Sequence, residues 1–246
     1  MANDLAVIET FDLTKKFESL TAVNNIDLTV DKGEIFGFLG PNGAGKTTII
    51  KLLTDLLKPT TGTAKIMGKD IQENPIEAKA AIGLVPDEPQ VYEKLTGIEF
   101  LRFMGNLFGI EKGSIERKIG ELLKLFDLTN RGGELIQGYS HVMKQKISIA
   151  GALIHSPGVL FFDEPTVGLD PKSARIIKDI LKFRARSGDC IFMSTHILEI
   201  AESMCDRIGI IQDGKLAVGN MEELRKLSKD DKANLEEIFL QLDRRR

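Results

Sequence analysis

Nine consecutive residues, GPNGAGKTT from Gly40 to Thr48, match the pattern G-x-x-x-x-G-K-[ST]. An apolar run, EIFGFLG, leads into them and a helical pattern, KTTIIKLLTDLL, leads out. That context suits a loop that cradles phosphate. Glycines at 40, 43 and 45 let the backbone wrap closely enough to aim amide N–H groups at anionic oxygens. The helix that follows adds the positive end of its dipole. Lys46 supplies a point charge for the outer phosphates, and the Thr47 hydroxyl can ligate Mg²⁺. Pro41, Asn42, Ala44 and Thr48 complete the run and count with it as phosphate-binding positions.

A second run, VLFFDEP, supplies what such a loop needs next. Four apolar residues, Val159 to Phe162, predict a buried strand that delivers Asp163 to its carboxyl end, where the metal would sit. Glu164 follows, placed to orient or deprotonate a water attacking the terminal phosphate. His196 closes another apolar strand, IFMSTH, on the side where phosphate would lie. A third stretch, YSHVMKQK, reads as a helix start with Ser140 as cap. Met143, Ile147, Ala150 and Ile154 then form one apolar stripe, ended by Pro157.

Positioning these groups takes an alternation of strands and helices, which predicts an α/β domain. TAVNNIDLTV and EIFGFLG read as strands, GTAKIMGKDI as a strand pair and AIGLVP as a short buried strand. Between Glu93 and about Ser156, three helical patterns follow one another without a strand: FLRFMGNLFGI, SIERKIGELLKLFDL and VMKQKISIAGALI. The alternation resumes with VLFFD, the helix of ARIIKDILKFRA and the strand of CIFMST. RIGIIQDGKLAVGN carries a hairpin signal at Asp213-Gly214, and the charged tail from Met221 to the terminal RRR reads as helical.

The 246 residues allow one large domain with a real core, and the net charge of −3 argues against nucleic acid as a partner. Cys190 and Cys205 lack metal-type spacing and read as buried free thiols of a reducing compartment. MANDLAVIETFDL carries an early acid and no long apolar stretch, unlike a secretory signal. No run approaches the ~18 to 20 apolar residues of a membrane span, so any membrane role is expected through a partner.

The phosphate loop, YSHVMKQK, FFDEP, GLD and STH follow in the order, and at about the spacing, of the ATP-binding subunits of ABC transporters. The chain resembles that family from near Phe11 to its tail. DEPQVYEKLTG, YSxxMKQK and LEEIFLQL look most like the export-type subunits that serve drug, lipid or peptide efflux. The resemblance implies an α/β phosphate-loop NTPase core of ABC type with an antiparallel β subdomain and a helical insert. In residue ranges, the single domain spans 1–246, with the core at 1–86 and 157–220, the helical subdomain at 87–156 and the tail at 221–246.

The resemblance also implies ATP and Mg²⁺ as ligands. Phe17 matches the aromatic that stacks on adenine, and Asp87 falls where the family usually carries a metal-linking glutamine. Two subunits of the family sandwich two ATP molecules, each site joining one chain's phosphate loop to the other's signature. Gly168, Leu169 and Asp170 match the loop between the subunits. Ser140, His141 and Val142 match the signature, with Val142 standing where a glycine is expected and its γ-methyls crowding the γ-phosphate. Leu95 to Phe108 resembles the region that receives a helix from a multi-span permease, placing the chain on the cytoplasmic face of the membrane. The second ATPase subunit is either identical or a different chain. A soluble ABC-type ATPase that remodels a cytosolic complex is the alternative function.

Overall fold

The computed structural model describes residues 5–18, 20–165, 169–212, 215–228 and 233–243. Its strands divide into two sheets. Strands β1 (Ala6–Phe17), β2 (Leu20–Asp31), β4 (Thr61–Ile66) and β5 (Lys69–Asp70) pair antiparallel in the order β2-β1-β4-β5. Asp12 and Asn25 take left-handed backbone angles, φ 47° and 49°, where the β1–β2 register slips, and their side chains hydrogen-bond across the kink at 3.0 Å.

The second sheet runs β10-β9-β3-β8-β7-β6. It contains β3 (Ile35–Leu39), β6 (Ile82–Val85), β7 (Val159–Asp163), β8 (Cys190–Thr195), β9 (Arg207–Gln212) and β10 (Lys215–Gly219). All its neighbours are parallel except β9 and β10, which pair antiparallel from Gln212 and Lys215. The Asp213-Gly214 signal between them lies outside the described residues. Every residue of β3, β7 and β8 is buried, as parallel strands covered on both faces require. The Phe192 ring of β8 lies 5.4 Å from Phe36 and 5.6 Å from Phe38 of β3, and 5.4 Å from Phe161 of β7. Parallel pairing puts the carboxyl ends of these three strands on one edge, which is where the candidate site forms.

Helix α1 (Lys46–Leu53) is shorter than KTTIIKLLTDLL suggests. Asp55 turns left-handed at φ 54°, and the amides of Leu56 and Leu57 fold back onto the Lys51 carbonyl. Asp55 gains ion pairs with Lys58 and Lys79 in that position. A short α2 (Pro75–Ala80), absent from the sequence reading, precedes β6. Between β6 and β7 come α3 (Gly97–Leu107), α4 (Lys112–Leu125) and α5 (His141–Leu153). One isolated bridge, Thr96 to Leu135, joins segments within this region. Thr96 and Glu99 form a capping box that fixes the start of α3.

Ile147, Ala150 and Ile154 are buried, and Met143 packs against the same core, as the stripe predicts. Gly83 of β6 lets α5 approach the sheet: a Cβ there would meet the Ala152 carbonyl at 2.7 Å. After β7 come α6 (Pro171–Arg186), α7 (Leu198–Met204), α8 (Met221–Ser228) and α9 (Leu235–Asp243). The sequence reading lacked α7. Leu235 and Ile238 of α9 share a core with Ala201 of α7 and with Ile208 and Ile210 of β9.

Cys190 is buried and Cys205 half-buried, both as free thiols. Burial raises both thiols, Cys205 to about 12, so neither is a nucleophile at neutral pH. No helix among the described residues is long and apolar enough to cross a membrane.

Candidate functional site

The loop from Gly40 to Gly45 joins β3 to α1, as the spacing predicts. Gly45 caps the helix at φ 99°, and a Cβ there would stand 2.3 Å from the Ala22 carbonyl of β2. No other residue type fits both the angle and the clearance. Pro41, Asn42 and Gly43 are exposed on the loop's rim, and the Ala44 amide donates to the Pro41 carbonyl at 3.2 Å. Lys46 is buried, its Nζ donating to the carbonyls of Gly40 at 2.8 Å and Pro41 at 3.2 Å.

Lys46 also reaches Glu164, with Nζ 3.5 Å from Oε1. The same Oε1 lies 2.9 Å from Nδ1 of His196. A carboxylate only accepts, so the imidazole donates from Nδ1 and its other nitrogen is left for a ligand. Lys46, Glu164 and His196 therefore meet at one carboxylate, brought there by the ends of β3, β7 and β8. The second oxygen, Glu164 Oε2, is buried without a hydrogen-bond partner among the described residues. A buried acceptor left open in this way fits a water or ligand hydroxyl.

Glu164 itself sits at φ 51°, a left-handed angle that costs a residue with a Cβ roughly 1–3 kcal/mol. Its amide donates to the carbonyl of Ser194 at 3.3 Å and to its hydroxyl at 3.2 Å. The Ser194 hydroxyl in turn donates to Asp163 Oδ1. Ser194 thus sets both acids at once, and the sequence reading missed it. Its signal was a small hydroxyl residue inside the apolar strand CIFMST, two residues before His196.

Asp163 is buried at the end of β7 and lines a cleft of about 830 Å³ together with Thr47, Asp87 and Gln90. Aromatic walls from Tyr92 and Phe103 continue the cleft toward α3. Asp87 is exposed there, and its Oδ1 accepts the Glu88 amide at 2.8 Å. The described residues contain no cluster of three metal-ligating side chains. Mg²⁺ needs none, because it is held by one or two side chains, phosphate oxygens and water. Thr47 and Asp163, which line the same cleft, fit that donor set.

Phe17 ends β1 with its ring 43% exposed and the Lys15 ammonium 5.1 Å from its centroid. Its neighbour Lys16 pairs with Thr21, the residue before Ala22, so the ring belongs to the hairpin end that touches the phosphate loop. The signature residues lie elsewhere. Ser140 caps α5 by accepting the Met143 amide at 3.3 Å, His141 is exposed and Val142 is half-buried. None of the three lines the cleft of Thr47 and Asp163. Asp170 caps α6, accepting the Ser173 amide at 3.0 Å, and hydrogen bonds from Ser173 hold its carboxyl below the usual range. Gly168 lies outside the described residues.

Comparison with known proteins agrees with this geometry. The family described as ABC transporter matches residues 23–167. The ABC transporter ATP-binding protein NatA of Bacillus subtilis (strain 168) is 35% identical over 229 residues, covering 91% of this chain and 93% of NatA. The linearmycin resistance ATP-binding protein LnrL of the same organism is 37% identical over 219 residues, 89% of this chain and 70% of LnrL. The Nod factor export ATP-binding protein I of Cupriavidus pinatubonensis (strain JMP 134 / LMG 1197) is 37% identical over 220 residues, 89% of this chain and 68% of its own length. A solved ATP-binding subunit of an ABC transporter superposes with a TM-score of 0.92 at 31% identity, covering 97% of this chain and all of that one. The chain belongs to the ABC transporter family, as one of its ATP-binding subunits.

Proposed function

We propose that the chain is the ATPase of an export system, hydrolysing Mg²⁺-ATP at a site completed by a second ATPase subunit and driving a separate multi-span permease. The convergence of Lys46 and His196 on Glu164 carries this reading. The amides of residues 40–48 and the Lys46 ammonium bind the phosphates, and Phe17 stacks on adenine. Thr47 and Asp163 would hold Mg²⁺ and Asp87 would reach it through water, and the ion would supply charge to neutralise the phosphates. Glu164 takes the proton of the attacking water at its carboxylate, and His196 contacts the γ-phosphate.

Ser140, His141 and Val142 face the nucleotide of the other subunit, and Asp170 lies at the same junction. The placement of Ser140 away from the cleft of its own chain supports a shared site. Val142 crowds the phosphate approach, which favours an unequal pair in which the other subunit brings an unobstructed signature. The aromatic wall of Tyr92 and Phe103 receives a helix of the permease and keeps the chain on the cytoplasmic face of the membrane. The Nod factor export and linearmycin resistance relatives support export.

Calorimetry tests the reading: the folded chain should take up ATP only weakly without Mg²⁺ and strongly with it, and Lys46→Ala should lose both. An intact chain that shows no Mg²⁺-dependent uptake overturns it.

A further inference from the structure

A groove of about 610 Å³ runs between α4, the end of α5 and α6, separate from the cleft of Thr47 and Asp163. Leu122 and Leu125 of α4 form one wall, and Ile176, Ile180 and Phe183 of α6 the other. These spacings of three and four residues are ridges of two helices, and the trough between them has the shape that takes a third helix. Phe183 is 69% exposed and Leu125 48%, a cost that a lone subunit bears without return.

The charges on the rim choose the kind of helix. Lys118 turns inward, its ammonium donating to the Ile154 carbonyl at 2.8 Å and to the Ser156 hydroxyl at 3.0 Å. Arg184 is ion-paired with Asp189 at 2.6 Å and donates to the Pro157 carbonyl at 3.1 Å. Glu121 and Asp179 are exposed and make no hydrogen bond or ion pair with the described residues. The basic groups of the groove are committed to the chain itself, while its open charges are both carboxylates. A matching ligand is a helix with one apolar face flanked by lysine or arginine.

We propose that the groove docks a basic amphipathic helix from a cytosolic segment of the permease. Cytosolic segments next to membrane spans carry an excess of Lys and Arg, which complements Glu121 and Asp179. The inference rests on the reading that the chain works with a permease. It adds a second attachment, on the region between β6 and β7 through α4 and on the sheet through α6, whose Ile177 and Leu181 share a core with Ile191 of β8. A helix lying across both fixes the angle between them.

The test places benzoylphenylalanine at Phe183, and separately at Tyr92, in the full chain purified with its permease from membranes. Irradiation should join both positions to the permease, with the adduct at 183 mapping to a cytosolic segment rich in Lys and Arg. Glu121→Lys combined with Asp179→Lys should cut the adduct at 183 by about five- to tenfold and leave the adduct at 92 within about twofold. A permease adduct at 92 alone overturns the inference and leaves the permease reading standing. Adducts at neither position overturn both. An adduct at 183 with a soluble protein, or with another copy of this chain, overturns the inference because the occupant is wrong.

Discussion

His196 donates from Nδ1 to the same Glu164 oxygen that Lys46 approaches, at 2.9 Å and 3.5 Å respectively. One carboxylate oxygen thus serves two cationic or polar neighbours, while the other is buried with no partner among the described residues. Glu164→Gln keeps the shape and the Ser194 contacts but removes the proton acceptor. Hydrolysis should fall by about 10²- to 10⁴-fold with ATP still bound. Phosphate release and nucleotide affinity, measured on one preparation, separate the two effects; a variant that hydrolyses at the parental rate rules out Glu164 as the base.

Ser194 offers a subtler probe, because it touches both acids without facing solvent. Ser194→Ala leaves Asp163 Oδ1 without its donor and Glu164 with one fewer contact holding its left-handed backbone. A lost buried hydrogen bond to a charged group costs about 1.5–3 kcal/mol. Hydrolysis should drop with little change in ATP affinity, and thermal denaturation should show a lower melting temperature. Equal activity and stability in the two proteins would mean that Ser194 sets neither acid.

At Gly45 the constraint is steric. A methyl group would collide with the Ala22 carbonyl and force the left-handed angle on a residue that resists it. Gly45→Ala should abolish nucleotide uptake and lower stability by about 1–3 kcal/mol. Denaturant titration and calorimetry check both halves, and normal ATP uptake by the variant is the result that contradicts the geometry.

Val142→Gly tests the signature. Restoring a charge-assisted contact worth about 1.5–3 kcal/mol should tighten closure onto the second subunit by roughly ten- to a hundredfold. Affinity of the chain's own loop for ATP should stay the same, since Val142 does not line that cleft. ATP-driven association, followed by light scattering, reports closure. High activity that the reversal leaves unaltered removes the steric account.

His155 gives a pH dependence. Burial lowers its pKa, the Ile82 carbonyl contact opposes the shift, and Lys118 and Arg184 add to it. Its folded value is depressed, so its contribution to stability is full above the unfolded value, about 6.5, and is lost as pH falls through the folded one. Nδ1 is buried with no hydrogen-bond partner among the described residues, and the ring stacks on Phe108 at 3.6 Å, so a second proton is poorly accommodated. Melting temperature should decline below about pH 6.5 more steeply in the parent than in His155→Gln. Parallel curves would show that His155 does not titrate in this window.

Much of this site was legible in the residue order. The glycine spacing around Lys46, the apolar runs before Asp163 and His196, and the cap at Ser140 are local signals whose chemistry is written in neighbouring residues. What stayed hidden depends on contacts between distant ones. Glu164 adopts its angle because Ser194, thirty residues away, holds its amide. The helix α1 stops at Leu53 and Asp55 turns left-handed, where its carboxylate pairs with both Lys58 and the distant Lys79. The short helices α2 and α7 escaped because they hold too few turns for a periodic pattern to emerge.

The phenylalanine cluster beneath the site has a mechanical meaning. Phe192 touches a ring on each flanking strand, so β3, β7 and β8 are keyed together below the groups they carry. A thermal jolt that shifts one of these strands drags the others along, and the spacing of ammonium, carboxylate and imidazole survives it. Lys46, Glu164 and His196 thus stand on one anvil of stacked rings.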